Sequence, residues 1–356
     1  MRYREFVREY QDLNQEKDAI IQTVSGLNAS NETEAKLLDR IWKILNSETV
    51  TSKIDTAFSA SLGDESFAKA QKAKVLRDVT QIISNLTADF KAMSGFLDSL
   101  EKGTAVNIGE LSKPLSSFEQ VFNGNSVTQE AFYALASYGS GKKQKGPGEY
   151  ALAILSPKIA LRAGGGDLDI QGMGQVELKA SIDKSGGRLG HGGMDQKAAK
   201  DILKKYHNDV PALKQHFEDG AKSMGLGKFV EYLNIALPVS IPDNQKLRME
   251  IAADLYKPTF SEHAKGIVQA FGQEDIKTIE NEYLRANYEH YLARDYFDVL
   301  LLCSFAMKKF AAVRSADELL KLKNDKHLAA ISLSAVPTAA GAREVYSQMS
   351  LTGAKF

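Results

Sequence analysis

Four side chains in the stretch GPGEYALAILSPKIALRAGGGDLDIQGMGQVELKASIDKSGGRLG, residues 146–190, have the types and spacing to do chemistry: Glu149, Asp167, Glu177 and Lys179. Hydrolysis of a phosphodiester needs a cation to offset phosphate charge and a positioned, activated water. Magnesium prefers oxygen ligands in octahedral geometry and takes only one or two carboxylates from protein. Asp167 and Glu177 supply two if they lie on neighbouring strands joined by a tight turn at Gly172-Met173-Gly174. Lys179 follows Glu177 by two residues, so strand alternation puts it on the same face. Its ammonium can orient or help deprotonate the attacking water and stabilise a pentavalent phosphorus. Glu149 approaches from a neighbouring helix, binding metal through water or helping to hold a second ion. The expected cofactor is Mg2+, with Mn2+ able to substitute.

The Glu-x-Lys tripeptide alone carries little, since Asp/Glu-x-Lys also occurs at Glu34, Asp89, Asp195 and Asp275, where helices or helix starts are expected. Its weight comes from strand context, from the Gly-Gly-Asp strand upstream and from the helix before it. Asp169 competes with Asp167, because alternation puts both on one side of their strand. Asp167 is preferred for its longer spacing to Glu177 and for the glycines before it, which let a phosphate approach. The glycine-rich run 185–193 follows, with Arg188 as a phosphate contact; His191 reads as a loop histidine without a role. Lys142, Lys143 and Lys145 in the boundary loop 139–148 are further candidate backbone contacts. The Gly-Ser-Gly-Lys within that loop is not a phosphate-binding loop, because Ala136 stands where the pattern wants glycine and Lys143 where it wants serine or threonine. From Gly139 to Gly190 there are eight Lys/Arg against five Asp/Glu, an excess in the sense a polyanion requires.

The elements that must position these residues read as helix, strand, strand, strand: a short helix Glu149–Leu155 stopped before Pro157, then strands at 158–163, 167–171 and 175–181. The flanks read as helical. Before the core, helical spacing runs from Phe6 to Val24, and helices are expected from a cap at Ser30 or Asn31 to Leu45, at 66–100 as one long element, and at 127–138. After it they are expected at 194–206, 210–223, 227–237, 244–256, 263–271, 274–294 and 296–314. Alternation at 328–333 and 343–351 predicts a terminal strand pair. The fold class is therefore α+β, with a helical region 1–138, a small mixed-sheet core 139–240, and a mainly helical region 241–356.

The order Glu149, Asp167, Glu177-x-Lys179 resembles the PD-(D/E)xK nuclease superfamily over about 45 residues, with Gly166 where the signature has proline. The resemblance implies a restriction-endonuclease-like core and Mg2+-dependent endonucleolytic cleavage of DNA. It assigns Asp167 and Glu177 as ligands and Lys179 as the catalytic lysine. Two other readings stay open: a nuclease-fold structural or DNA-binding component of a phage particle, and a site-specific type II restriction endonuclease.

The chain's 356 residues are long enough for two or three domains, and 45 basic against 45 acidic residues leave no global field toward nucleic acid or membrane. The single cysteine, Cys303, excludes an internal disulfide or a cysteine zinc site and reads as a buried core thiol. Tyr283, Tyr288, Tyr291, Tyr296 and Phe297 form an aromatic stretch that reads as helix packing rather than base stacking. His207, His216, His263 and His327 lack metal-ligand spacing. The charged N-terminus is not a signal peptide, and no apolar run is long enough to span a bilayer. The expected partners are DNA and a homo-oligomer or a phage assembly, with no membrane, in the cytoplasm or a virion.

Overall fold

The computed structural model describes residues 32–48, 50–53, 65–86, 90–138, 146–162, 165–181, 187–192, 201–218, 224–336 and 344–353. The fold is α+β. Two compact units divide the chain, one holding residues 1–180 with 308–311, the other 181–307 with 312–356. They follow contact rather than composition, so the sequence boundaries at 138/139 and 240/241 do not coincide with them.

In the first unit, α1 (Glu32–Leu45), α2 (Glu65–Ser84) and α3 (Phe90–Glu101) each bury one stripe. Val75, Leu76, Val79 and Ile83 on α2, and Met93, Phe96 and Leu97 on α3, recur at the three- to four-residue spacing that a core-facing helix requires. The single helix expected at 66–100 is two elements. Two one-turn helices follow, α4 (Ile108–Leu111) and α5 (Phe118–Val121), the second closed by a capping box between Ser117 and Gln120. A two-residue strand β1 (Ser116–Ser117) precedes α5. The next helix, α6 (Ser126–Ser137), starts where Asn125 accepts the Thr128 N–H. It packs Phe132 against Phe118, Phe122 and Phe310, with ring centroids 5.1–5.7 Å away.

The core expected at 149–181 forms in the expected order. Helix α7 (Pro147–Leu155) opens with Pro147, whose fixed φ suits a first turn, and ends at Ser156 before Pro157. Strands β2 (Ile159–Leu161), β3 (Leu168–Ile170) and β4 (Gly174–Ser181) form an antiparallel meander, with Ile159 opposite Ile170 and Leu168 opposite Val176. Gly172 and Gly174, at φ +83° and +81°, turn the chain between β3 and β4; only glycine takes such angles at no cost.

The second unit is built on a four-stranded antiparallel sheet in the order β5 (Gly187–Gly192), β10 (Glu344–Leu351), β9 (Leu328–Val336), β6 (Met224–Gly225). The expected terminal strand pair is present as β9 and β10, with Leu351 opposite Leu328. Helices α8 (Pro211–Glu218), α9 (Leu226–Ala236), α10 (Pro242–Phe260), α11 (Lys265–Ala270), α12 (Ile276–Asp295) and α13 (Ala316–Asn324) complete it. Tyr283, Tyr288 and Tyr291 on α12 are buried and Tyr283 Oη donates to Ser334 O, as helix packing requires. Cys303 is buried and its thiol pKa is raised by burial.

Two expectations are corrected here. The helix placed at 296–314 is replaced by strands β7 (Val299–Ser304) and β8 (Lys309–Val313). Every residue of β7 is buried, so the apolar run Val-Leu-Leu-Leu-Cys shows no helical stripe, and Lys308 at φ +50° turns the chain before β8. The glycine-rich segment read as a loop contains strand β5, which β10 holds by six paired residues from Gly192–Glu344 to Gly187–Met349.

Candidate functional site

The meander sets the geometry of Asp167, Glu177 and Lys179. Asp169 faces Gln175 and Leu168 faces Val176 across the ladder; Asp167 lies just before β3, outside this regular register. The chain reaches that position through Gly165 and Gly166, at φ +47° and +69°. A Cβ on Gly166 would fall 3.2 Å from Val176 O, so close backbone packing against β4 demands this glycine, whatever approaches from outside. Asp167 N donates to Val176 O at 2.8 Å, and Asp167 Oδ2 accepts the Leu178 N–H at 3.0 Å. The carboxylate thus prolongs the ladder by one rung beyond the end of β3.

Glu177 and Lys179 share one face of β4 and form an ion pair, Nζ to Oε1 2.7 Å. The Glu177 side chain is only 7 % exposed, the Lys179 side chain 24 %. An acid this deeply buried needs a charged or hydrogen-bonding partner, and Lys179 provides one while keeping access to solvent.

Glu149 is placed differently. It is the third residue of α7, and a Cβ on Gly146 would collide with its Oε1, so the carboxylate turns back over the start of its own helix. An acid there complements the positive end of the helix dipole. Helix α7 lies on the face of β4 that carries Leu178 and Ala180, which stand 2.9 and 3.0 Å from where a Cβ on Gly148 would sit. Glu177 and Lys179 alternate to the opposite face. The structure therefore bonds Asp167 to β4 at Leu178, pairs Glu177 with Lys179 on that strand, and carries Glu149 in the first turn of α7. Among the described residues, no three His, Cys, Asp or Glu side chains cluster as a metal-binding group.

The competing acid Asp169 is exposed on β3 and lies 3.6 Å from Arg162. Arg188 is exposed on β5, opposite Gln348. Lys142, Lys143 and Lys145 lie outside the described residues. No helix among the described residues is long and apolar enough to cross a membrane.

The backbone role of Asp167 was not foreseen from the sequence, although its signal is present in the Gly-Gly-Asp that precedes a strand. The buried lysine Lys53 was missed as well. Its Nζ donates to Ala153 O and Ser156 O, the open carbonyls at the end of α7, at 2.5 and 2.6 Å. Nothing local marks it out, because its burial is decided by residues a hundred positions away.

No protein-family model, no curated protein and no solved structure matches this chain, so the resemblance to the PD-(D/E)xK nucleases rests on its own residues and element order.

Proposed function

We propose that the first unit carries a Mg2+-dependent phosphodiesterase site that cleaves DNA endonucleolytically, with Asp167 and Glu177 as metal ligands and Lys179 as the group that handles the attacking water. The observation that carries this reading is that the Asp167 carboxylate is bonded to β4 at Leu178 N, next to Glu177, and that Lys179 is paired to Glu177. The donor set fits the ion: it is all carboxylate oxygen, and two carboxylates are the number Mg2+ usually takes from protein. When bound, Mg2+ supplies charge to offset the phosphate and acidity to its water. The chain's residues do the rest. Asp167 is held to β4 by its bonds with Val176 O and Leu178 N, and Glu177 stands on β4 itself. Lys179, hydrogen-bonded to Glu177 and partly exposed, holds a proton at Nζ within reach of whatever Glu177 binds. Glu149 fixes the start of α7, the helix that backs β4.

A second reading is favoured by one observation, the hydrogen bond from Leu178 N to Asp167 Oδ2. In it the acids serve the fold, and the unit is a nuclease-like structural or DNA-binding component. Asp167→Asn separates the two readings, because the amide oxygen still accepts the Leu178 N–H while the ligand charge is gone. The test is thermal unfolding with and without Mg2+. The catalytic reading requires Mg2+ to raise the wild-type Tm and to do so far less in Asp167→Asn, with metal-free Tm values nearly equal. An identical Mg2+ response in both proteins would refute it.

A further inference from the structure

A cavity of about 380 Å³ in the first unit is lined by Ile44, Val50, Leu100, Ile154 and Pro157, with Lys43, Ser47 and Glu101 among its polar groups and Lys53 in its wall. That volume is in the range of small-molecule sites, which are mostly apolar with a few placed polar groups. We propose that this cavity binds a small apolar carboxylate, such as a medium-chain or aryl-alkyl acid, whose anionic end is held by Lys53 and whose apolar body fills the space between α1, α3 and the end of α7.

The argument starts from an uncompensated charge. Lys53 is 8 % exposed. Its two acceptors are main-chain carbonyls, Ala153 O and Ser156 O. An ammonium has three donors, so the third N–H has no acceptor among the described residues. Among the described residues, no carboxylate pairs with it either. Desolvation alone acts on this amine, pushing its pKa down to about 8. Buried charges in proteins are normally paired, and an anion entering the cavity completes the set. The one acid in the lining among the described residues, Glu101, is already engaged by Arg40 at 2.9 Å. Lys43 at the cavity adds a second positive group, offset in part by Asp39 at 2.7 Å. Apart from Ser47, the remaining lining is aliphatic, which suits an apolar tail and not a free inorganic anion.

The ligand must also carry a linkage. An anion beside Lys53 favours its charged form, so binding above pH 8 takes up a proton.

The experiment is isothermal titration of the full chain at about pH 8.5 with octanoate and with 3-phenylpropionate, in two buffers of different ionisation enthalpy, with 1-octanol and inorganic phosphate as controls. The proposal expects saturable binding of at least one acid with proton uptake. It expects octanol and phosphate to bind at least about tenfold more weakly, as loss of one charge-assisted bond implies. Lys53→Met should lose the preference for acid over alcohol. Leu100→Trp, which fills the cavity and leaves Lys53 in place, should lose binding altogether. The idea is overturned if octanol binds as well as octanoate, if phosphate binds as well as either acid, or if neither acid saturates below about 10 mM. The wild-type comparison of acid with alcohol decides the matter even if Lys53→Met fails to fold.

Discussion

Removing either partner of the Glu177–Lys179 pair should not cost the same, and the asymmetry can be worked out from burial. Lys179→Met takes away the ammonium that Glu177 Oε1 accepts from and leaves a carboxylate that is only 7 % exposed. Breaking a fully buried pair in this way costs about 3–5 kcal/mol. The lysine end is a quarter exposed, so solvent screening brings the expectation to about 2 kcal/mol. Glu177→Gln instead keeps an oxygen for Lys179 Nζ and leaves a cation whose stem can carry it into water, for a cost of about 1 kcal/mol. The assay is urea denaturation followed by the fluorescence of Trp42, the only tryptophan, which lies on α1 in the same unit. Metal adds a second arm. If Glu177 is a ligand, Mg2+ at ten times its Kd should recover about 1.4 kcal/mol in Lys179→Met by mass action, because the ion offsets the carboxylate that lost its lysine. The reasoning is refuted if Lys179→Met is no less stable than Glu177→Gln, or if Mg2+ stabilises Glu177→Gln as much as Lys179→Met.

Three more predictions bear on the scaffold. Phe132→Ala empties a fully buried position ringed by Phe118, Phe122 and Phe310 and should lower stability by about 3–5 kcal/mol in the same assay. Arg248, wholly buried, donates to Phe271 O, Asn234 Oδ1, Leu237 O and Gln273 O. Arg248→Met should cost about 3 kcal/mol or more and Arg248→Lys should restore little of it, since an ammonium cannot span that fork; circular dichroism melts of the three proteins test this. Lys53 has a folded pKa near 8 against an unfolded value near 10.4. Its charged form is disfavoured in the fold, so its penalty is fully present below pH 8 and fades as pH rises toward about 10.4, a gain of about 3 kcal/mol over that window. Denaturation from pH 7 to pH 10 should show that rise in the wild type and not in Lys53→Met.

What the sequence revealed and concealed follows from where the information lies. The helix and meander of 146–181 were legible because the cues are local. Pro147 and Pro157 bracket α7, alternation marks β4, and the Gly172–Gly174 turn fixes the β3–β4 pairing. Strands β7 and β8 were not, because a run buried on every side has no period by which strand and helix differ. Strand β5 was hidden for the opposite reason. Its residues Gly-Arg-Leu-Gly-His-Gly have little strand preference, and its pairing is supplied by β10, more than 150 positions later. For the site, spacing marked out Asp167, Glu177 and Lys179 as a set, and the Asp167 carboxylate is bonded to the Leu178 N–H between the other two. It did not reveal that Glu149 turns back over its own helix start, which depends on the path of the chain at Gly146. Nor did it reveal Arg248, whose burial depends on four oxygens from other segments.

The most direct measurement is cleavage of supercoiled plasmid DNA by the full chain with Mg2+, with EDTA, and with Glu177→Gln and Lys179→Ala alongside. The account predicts nicking or linearisation that requires Mg2+ and is lost in both variants while their folds persist. Intact plasmid from well-folded wild-type protein in Mg2+ or Mn2+, or cleavage that survives Glu177→Gln, would contradict it.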